Sequence, residues 1–548
     1  MGLWRISREE FDVKDLYKFF NSPVGRVLFK KVASLNLDEI MEGYKRMKLF
    51  SDDKAFDSAF FSGPLQRMDL LLWLAKSYIR KGLEKIVRGT AYGFSKSEEE
   101  LLRKFDQDNA LLNITKLAIK SIAKYGLQKP LYFDAPVMVV WQLTDRCNLK
   151  CKHCYENAKT LSQGSTDPLT GKPDELSLEE KIEALDHLKE AGVPTIFFSG
   201  GEPLAAPRIW EFLEEVRERG FYFSFASNGT LVTKKVAQKL KDLGTGYYAV
   251  SLDAASPELH DKIRGLPGSW NLAVRGIRNL VEVGIPTLIQ FTLMNSNKEE
   301  LEKMFKLRDE LGAYKVIVYN YIPIGRGTFS LDLPPLEKEK ALETMYEQLK
   351  ERHAVATTAP QLGRLCKERG DGRAALIAHY VEIKLPEEKR KELSLLSELV
   401  GGCGTGRAYC ALQSNGEVTP CVYMRNLVVG NIKEKSFYEI WHSPFMEFLA
   451  RKDDLQDACG NCKFTAVCGG CRARSLYYNL PEELKKLNLN DEINYRLHEG
   501  GRSGVLRVEI EKLNPLELEA IEKALKRGDP GCMKNEVLYQ NFIQKNRK

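Results

Sequence analysis

The rhythm of apolar and polar positions changes along the chain. Over residues 1–130 apolar side chains recur at helical spacing, as in Leu28, Val32 and Leu35 and again in Leu70, Leu71, Leu74 and Tyr78, without strand alternation. Pro23, Gly63-Pro64, Gly89 and Gly93 punctuate this region, which reads as a helical N-terminal domain. From Pro136 short apolar runs alternate with amphipathic stretches. The pattern predicts strands over 137–143, 195–198, 221–227, 247–253, 286–294 and 315–319. Helices are expected between them near 177–192, 208–219, 233–243, 270–284 and 298–311, the first opened by a capping box of Ser177 and Glu180. Six βα units predict an α/β fold, an open partial barrel rather than a closed eight-stranded one, with its site at the carboxyl ends of the strands. Residues 331–400 are charged, broken by Pro334-Pro335 and helical over 338–352, and read as a bridge to the remainder at 401–548.

Composition narrows the class. A chain of 548 residues with 43% hydrophobic and 29% charged side chains is expected to be globular, in roughly three to four domains. No run approaches the ~20 apolar residues of a transmembrane helix, and the first ten residues lack the core of a signal peptide, so a cytoplasmic location is expected. In that compartment the 12 cysteines are better read as metal or cluster ligands than as disulfides. The net charge of +7 lies entirely in residues 1–130, with 24 Lys and Arg against 17 Asp and Glu. Within it, residues 66–90 combine nine large apolar side chains with Arg67, Lys76, Arg80, Lys81, Lys85 and Arg88. Such a basic amphipathic helix either makes peripheral contact with a membrane or packs on its own domain with solvated lysines; packing is the commoner outcome. No nucleic-acid partner is expected.

The candidate chemistry begins after the first predicted strand. Cys147, Cys151 and Cys154 stand in a C-x3-C-x2-C loop followed by Tyr155. Three thiolates can hold three corners of a cubane and leave one iron open to chelate a substrate. Three ligands of a zinc site with a distant fourth are the other reading. The second predicted strand ends in Gly200-Gly201-Glu202-Pro203, the third in Ser227-Asn228, the fourth in Ser251-Leu252-Asp253. The loop and the strand ends together resemble the radical S-adenosylmethionine (radical SAM) enzymes. That resemblance implies a [4Fe-4S] cluster on Cys147, Cys151 and Cys154 whose open iron takes the amino and carboxylate groups of SAM's methionine. It implies that Gly200, Gly201 and Pro203 admit the methionine, that Glu202 accepts a bond from its ammonium, and that Ser227, Asn228, Ser251 and Asp253 offer partners for ribose and carboxylate. Tyr155 occupies the family's usual aromatic position. Arg264 is expected either at a carboxylate or in a structural ion pair, and Arg326, in Ile322-Pro323-Ile324-Gly325-Arg326-Gly327, at SAM or substrate.

A second cysteine array follows: Cys403-x6-Cys410-x10-Cys421, then Cys459-x2-Cys462-x5-Cys468-x2-Cys471, then Cys532. It resembles the C-terminal SPASM extension of those enzymes, which carries two auxiliary [4Fe-4S] clusters. The resemblance implies Cys403, Cys410, Cys421 and Cys471 on the first and Cys459, Cys462, Cys468 and Cys532 on the second, making three clusters in all. A zinc ribbon is the rival for Cys459–Cys471 alone. Residues 472–529 interrupt the pattern before Cys532 and suggest a substrate-specific element. Cys366 stands apart and reads as packing.

The expectation is therefore a partial (β/α)6 radical SAM barrel with a helical N-terminal domain and a C-terminal iron-sulfur SPASM domain. The implied activity is oxidoreductase chemistry under anaerobic conditions: reductive cleavage of SAM to a 5′-deoxyadenosyl radical and abstraction of a substrate hydrogen, fed by a reductant such as ferredoxin or flavodoxin. Two complete auxiliary sets would favour electron transfer over substrate ligation. A peptide or protein substrate is the first expectation, a tetrapyrrole or other cofactor precursor the alternative, and a lipid the third. A non-enzymatic electron carrier is the reading outside catalysis. No catalytic acid or base is named from sequence.

Overall fold

The computed structural model describes residues 109–156, 158–161, 175–351, 355–369, 397–452, 454–489, 493, 497 and 508–533. The basic stretch at 66–90 and the rest of the expected N-terminal domain up to residue 108 lie outside the described residues, as do 162–174 and 370–396. The chain divides into two units, residues 1–134 with 383–392 and residues 135–382 with 393–548. In the first, helix α1 (Asn109–Tyr125) is tied to Asp134, whose carboxylate accepts from Lys124 Nζ at 2.6 Å and Tyr125 OH at 2.9 Å.

The second unit is built on one ten-stranded sheet. Its centre is six parallel strands in sequence order, β1 (Met138–Gln142), β2 (Thr195–Ser199), β3 (Tyr222–Ser227), β4 (Tyr248–Ser251), β5 (Thr287–Leu293) and β6 (Lys315–Asn320). All five residues of β1 and of β2 are buried, as a parallel sheet covered on both faces requires. The intervening helices are α2 (Leu178–Glu190), α3 (Ile209–Glu218), α4 (Lys234–Asp242), α5 (Pro257–Arg264), α6 (Ser269–Glu282) and α7 (Leu301–Leu311). Each turns a narrow apolar stripe inward, such as Ala273, Val274, Ile277 and Leu280 of α6. The Ser177–Glu180 capping box forms at the start of α2. Helix α5, capped by Ser256, was not anticipated; it carries His260 and Arg264.

Both edges of the six-stranded core are extended. Beyond helix α8 (Pro335–Glu351), a short strand β7 (Val355–Thr357) adds in parallel to β6, in a stretch whose charge suggested helix throughout; helix α9 (Gln361–Arg369) follows. On the other edge β8 (Tyr409–Leu412) lies parallel to β1, and β9 (Glu417–Thr419) and β10 (Gly430–Asn431) continue antiparallel. The second cysteine array thus grows directly from the barrel sheet. Helices α10 (Arg472–Lys486) and α11 (Pro515–Lys526), both in the expected insertion, pack on each other. Among the described residues no helix is long and apolar enough to cross a membrane.

Candidate active site and cluster sites

The loop of Cys147, Cys151 and Cys154 leaves β1 and is gripped by backbone from three other segments, the ends of β2, α5 and β6. Gly201 N–H donates to Thr144 O at 2.7 Å and Glu202 N–H to Arg146 O at 2.8 Å. Lys152 N–H donates to Ile263 O at 3.0 Å, at the end of α5, and Arg326 N–H to Cys154 O at 2.9 Å. The two glycines after β2 serve this docking. A Cβ on Gly200, whose φ is +126°, would stand 2.5 Å from Thr144 O, and one on Gly201 would stand 2.2 Å from Arg146 O. Their close approach is to the cysteine loop.

The same grip recruits side chains. Asn228 donates from Nδ2 to Asn148 Oδ1 at 2.8 Å, with Cys147 Sγ at 3.9 Å. Arg326 donates from Nε to Cys151 O at 2.8 Å and from Nη1 to Ala158 O at 3.0 Å, while its Nη2 is buried without a hydrogen-bond partner. Arg264 pairs with Asp253 at 2.8 Å and places Nη1 3.7 Å from Cys151 Sγ. Burial acts to raise the Asp253 carboxyl, but the Arg264 guanidinium, with smaller help from His153 and His260, holds it below the usual carboxylate range. His153, 3.4 Å from Asp253, is driven down to about 4 by burial and is neutral at pH 7. Ser251 Oγ donates to Gln290 Oε1 at 3.2 Å, and Gln290 Nε2 to Tyr319 OH at 2.9 Å.

Glu202 is turned inward. Its carboxylate accepts from Ser227 Oγ at 2.9 Å, Asn228 N at 2.8 Å and Leu204 N at 3.2 Å, locking the ends of β2 and β3 together. Burial outweighs these donors and pushes the carboxyl up from 4.5 to about 7. The folded chain therefore holds a proton that the unfolded chain releases. Glu202 contributes most stability below about pH 4.5 and progressively less as pH rises to about 7. Glu202→Gln imitates the protonated form, so the urea midpoint of the cluster-free variant should fall less steeply across this window than that of the cluster-free parent. Parallel curves would show that the carboxyl does not titrate there.

Cys147, Cys151, Cys154, Gly200, Gly201, Tyr155, Ser227, Asn228, Ser251, Arg264 and Arg326 all line a central cavity of about 230 Å³, and Asp253 lies just behind it through Arg264. Across the same cavity stand Cys403, Cys421 and Cys471. Tyr155 spans the two sides, with its hydroxyl 3.1 Å from Ser199 Oγ and its ring edge-on to Tyr423 at 5.1 Å. Cys410, grouped with Cys403, Cys421 and Cys471 by the sequence pattern, is not brought to them. It is fully buried in the apolar core at the Val139 register of β1. The other four, Cys459, Cys462, Cys468 and Cys532, do converge, around a separate small cavity with Thr465, Gly470 and Arg364. Cys366 is buried in the core.

The donor sets suit iron-sulfur clusters. Among the described residues no three His, Cys, Asp or Glu side chains gather at one point as a single ion would need; the thiols are arranged around cavity walls. Burial pushes the Cys147 thiol up to about 12 and the Cys421 thiol up to about 11, so iron must drive their deprotonation. Cluster assembly would then release protons.

Three residues of the site escaped the sequence reading. Glu156, 1% exposed and facing the cavity, has no hydrogen-bond partner on either carboxylate oxygen; Arg425 Nε lies 3.7 Å away. Burial pushes it up to about 8 against the pull of Arg425. Arg425 itself, 269 positions from Glu156 in sequence, also reaches Asp145 at 3.6 Å and ties the SPASM-like segment to the first cysteine loop. Asp529 accepts from Cys471 N–H at 3.0 Å. Only the position of Glu156, two residues after Cys154, was a local signal.

Comparison with known proteins gives two family matches, to the Radical SAM superfamily over residues 141–308 and to the SPASM iron-sulfur cluster-binding domain over residues 403–463. An AdoMet-dependent heme synthase of Methanosarcina barkeri is 33% identical over 351 residues, covering 62% of this chain and 93% of that protein. An Fe-coproporphyrin III synthase of the same organism is 32% identical, covering 63% and 86%. The mycofactocin maturase MftC of Mycobacterium tuberculosis is 27% identical, covering 64% and 81%. Among solved structures, Streptococcus suis SuiB bound to the precursor peptide SuiA shares the fold with a TM-score of 0.50 and 17% identity, covering 74% of this chain and 86% of that one.

Proposed function

Because the chain belongs to the radical SAM superfamily and carries its SPASM extension, and is therefore an enzyme with [4Fe-4S] clusters and SAM as cofactors, we propose that it oxidises a tetrapyrrole side chain by hydrogen abstraction. When bound, the cofactors supply a 5′-deoxyadenosyl radical and sinks for an electron. The chain's own contribution is to hold the reacting C–H bond between them. Cys147, Cys151 and Cys154 would anchor the SAM cluster, and Asn228, Arg264 and Arg326 steady their loop; Cys403, Cys421 and Cys471, on the same cavity, would hold a cluster able to take the substrate's electron. The observation that carries this chemistry is the single cavity onto which Cys147, Cys151 and Cys154 and Cys403, Cys421 and Cys471 all open. A substrate held there is near both groups and shielded from water, the positioning and exclusion that radical chemistry requires.

The tetrapyrrole choice rests on the heme synthase and Fe-coproporphyrin III synthase relatives, whose identity, and whose share of their own length covered, exceed those of the peptide maturase. The peptide expectation stands beside it as the second reading. Tyr155, Phe197, Tyr319 and Tyr423 on the cavity wall offer apolar faces to a flat macrocycle, and Arg326 Nη2 offers a buried unpartnered donor suited to a carboxylate. The second reading, a peptide substrate, is favoured by the MftC identity alone. Anaerobically reconstituted protein, reductant and SAM should be incubated with Fe-coproporphyrin III. The expected result is porphyrin-dependent 5′-deoxyadenosine, at least about tenfold above the substrate-free rate, with a matching mass change in the porphyrin. Formation of 5′-deoxyadenosine that is indifferent to the porphyrin, with no Soret shift on mixing, would leave the peptide reading ahead.

A further inference from the structure

The cavity wall that carries Cys403, Cys421 and Cys471 is completed by a tyrosine in the place where the cysteine spacing suggests a thiol. Strand β8 runs Tyr409-Cys410-Ala411-Leu412, and successive side chains of a strand point to opposite faces. Tyr409 faces the cavity. Cys410 faces the other way, 0% exposed among the apolar core residues. Rotating Cys410 into the cavity would require turning the strand over, against its parallel register of Met138 with Tyr409 and Val139 with Cys410. The phenol of Tyr409 reaches Cys421 Sγ at 2.5 Å, and Thr405 Oγ1 stands 3.3 Å from Cys403 Sγ.

We infer that the inner auxiliary site is a three-thiolate site in which Cys410 takes no part and Tyr409 is a positioning residue, donating its O–H to the Cys421 sulfur. A donor to a ligating sulfur stabilises the more negative, reduced state of a cluster and raises its reduction potential. Three thiolates would leave a fourth iron open, so completeness of the set no longer favours electron transfer over substrate ligation at this site; in either role Tyr409 would favour the reduced state of a cluster held here. The inference concerns the auxiliary site alone and stands whichever substrate the enzyme takes.

The test uses the full chain, reconstituted anaerobically, as wild type and as Cys421→Ala, Cys410→Ala, Cys410→Val and Tyr409→Phe. Iron and sulfide per chain are measured, and each cluster is titrated by electron paramagnetic resonance. Cys421→Ala should lose about one cluster's four irons. Cys410→Val, which keeps the apolar volume, should retain the wild-type iron content even if Cys410→Ala loses some through poorer packing. Tyr409→Phe should retain its iron and show a downward shift in the midpoint potential of one cluster, with the others unmoved. Loss of a cluster from both Cys410 variants would make Cys410 a ligand and overturn the inference. So would a Tyr409→Phe variant with all potentials unchanged, or one that loses about four irons, since the phenol would then be idle or a ligand.

Discussion

Replacing Cys147, Cys151 and Cys154 together with Ala should remove about four irons per chain and reduce SAM cleavage to background, while the protein keeps its fold. The expectation of a sound fold comes from the way the loop is held. Its backbone is fastened by Gly201 to Thr144, Glu202 to Arg146, Lys152 to Ile263 and Arg326 to Cys154, and none of these bonds involves a sulfur. Arg264 also retains its partner Asp253 when Cys151 is gone. Melting curves of the cluster-free parent and variant should therefore coincide within a few degrees. Iron analysis should show the remaining clusters in place, because Cys403, Cys421 and Cys471 and the set around Cys459 belong to other segments. A triple variant that still forms 5′-deoxyadenosine above background would sink the assignment of the radical-generating cluster to this loop.

How far this site could be read from sequence depended on how local each signal was. The C-x3-C-x2-C loop and Gly200-Gly201-Glu202-Pro203 announce themselves because their function lies in neighbouring residues. The six parallel strands were legible because each is a short apolar run between amphipathic helices. Strand β7 was not: three residues, Val355–Thr357, between charged helices carry too little periodicity, and the edge of β6 decides their conformation. The placement of Cys410 was hidden for a related reason. Spacing counts cysteines without recording which face of a strand they occupy, and its alternation with Tyr409 becomes meaningful only once β8 is seen beside β1. Glu202 was recognised as a site residue, but its partners Ser227 and Asn228, 25 and 26 positions away, turn it into a brace between strands. The Arg425 contacts with Asp145 and Glu156 join segments that no local pattern connects.

The least local feature is also the one whose loss should cost the most stability. Arg474 on α10 lies between Asp332, which follows the barrel strands, and Asp529, which precedes Cys532; all three side chains are 0% exposed. Its Nη1 donates to Asp332 Oδ2 at 2.7 Å and to Tyr321 O at 3.0 Å, and its Nε to Asp529 Oδ1 at 3.0 Å. Lys338 pairs with the other oxygen of Asp332 at 2.7 Å, and Gln361 donates to Asp529 at 2.5 Å. Two acids and two bases thus balance in a volume closed to water. Arg474→Met preserves much of the side-chain volume but removes the guanidinium that Asp332 and Asp529 share, so that Lys338 alone faces the charge of both. Breaking a buried pair on one side costs about 3–5 kcal/mol, because the stranded charge keeps its desolvation penalty. The urea midpoint of the cluster-free variant should fall accordingly. Asp529 also accepts from Cys471 N–H and, at 2.7 Å, from Gly531 N–H, next to Cys532, so the variant should lose iron from the auxiliary sites before it loses the barrel. Adding Asp529→Asn to Arg474→Met removes the excess negative charge and should restore part of the stability, a coupling that mere loss of packing would not produce. A single variant within about 1 kcal/mol of the parent, or a double variant no better than the single, would show that this junction is held by its apolar neighbours and not by its charges.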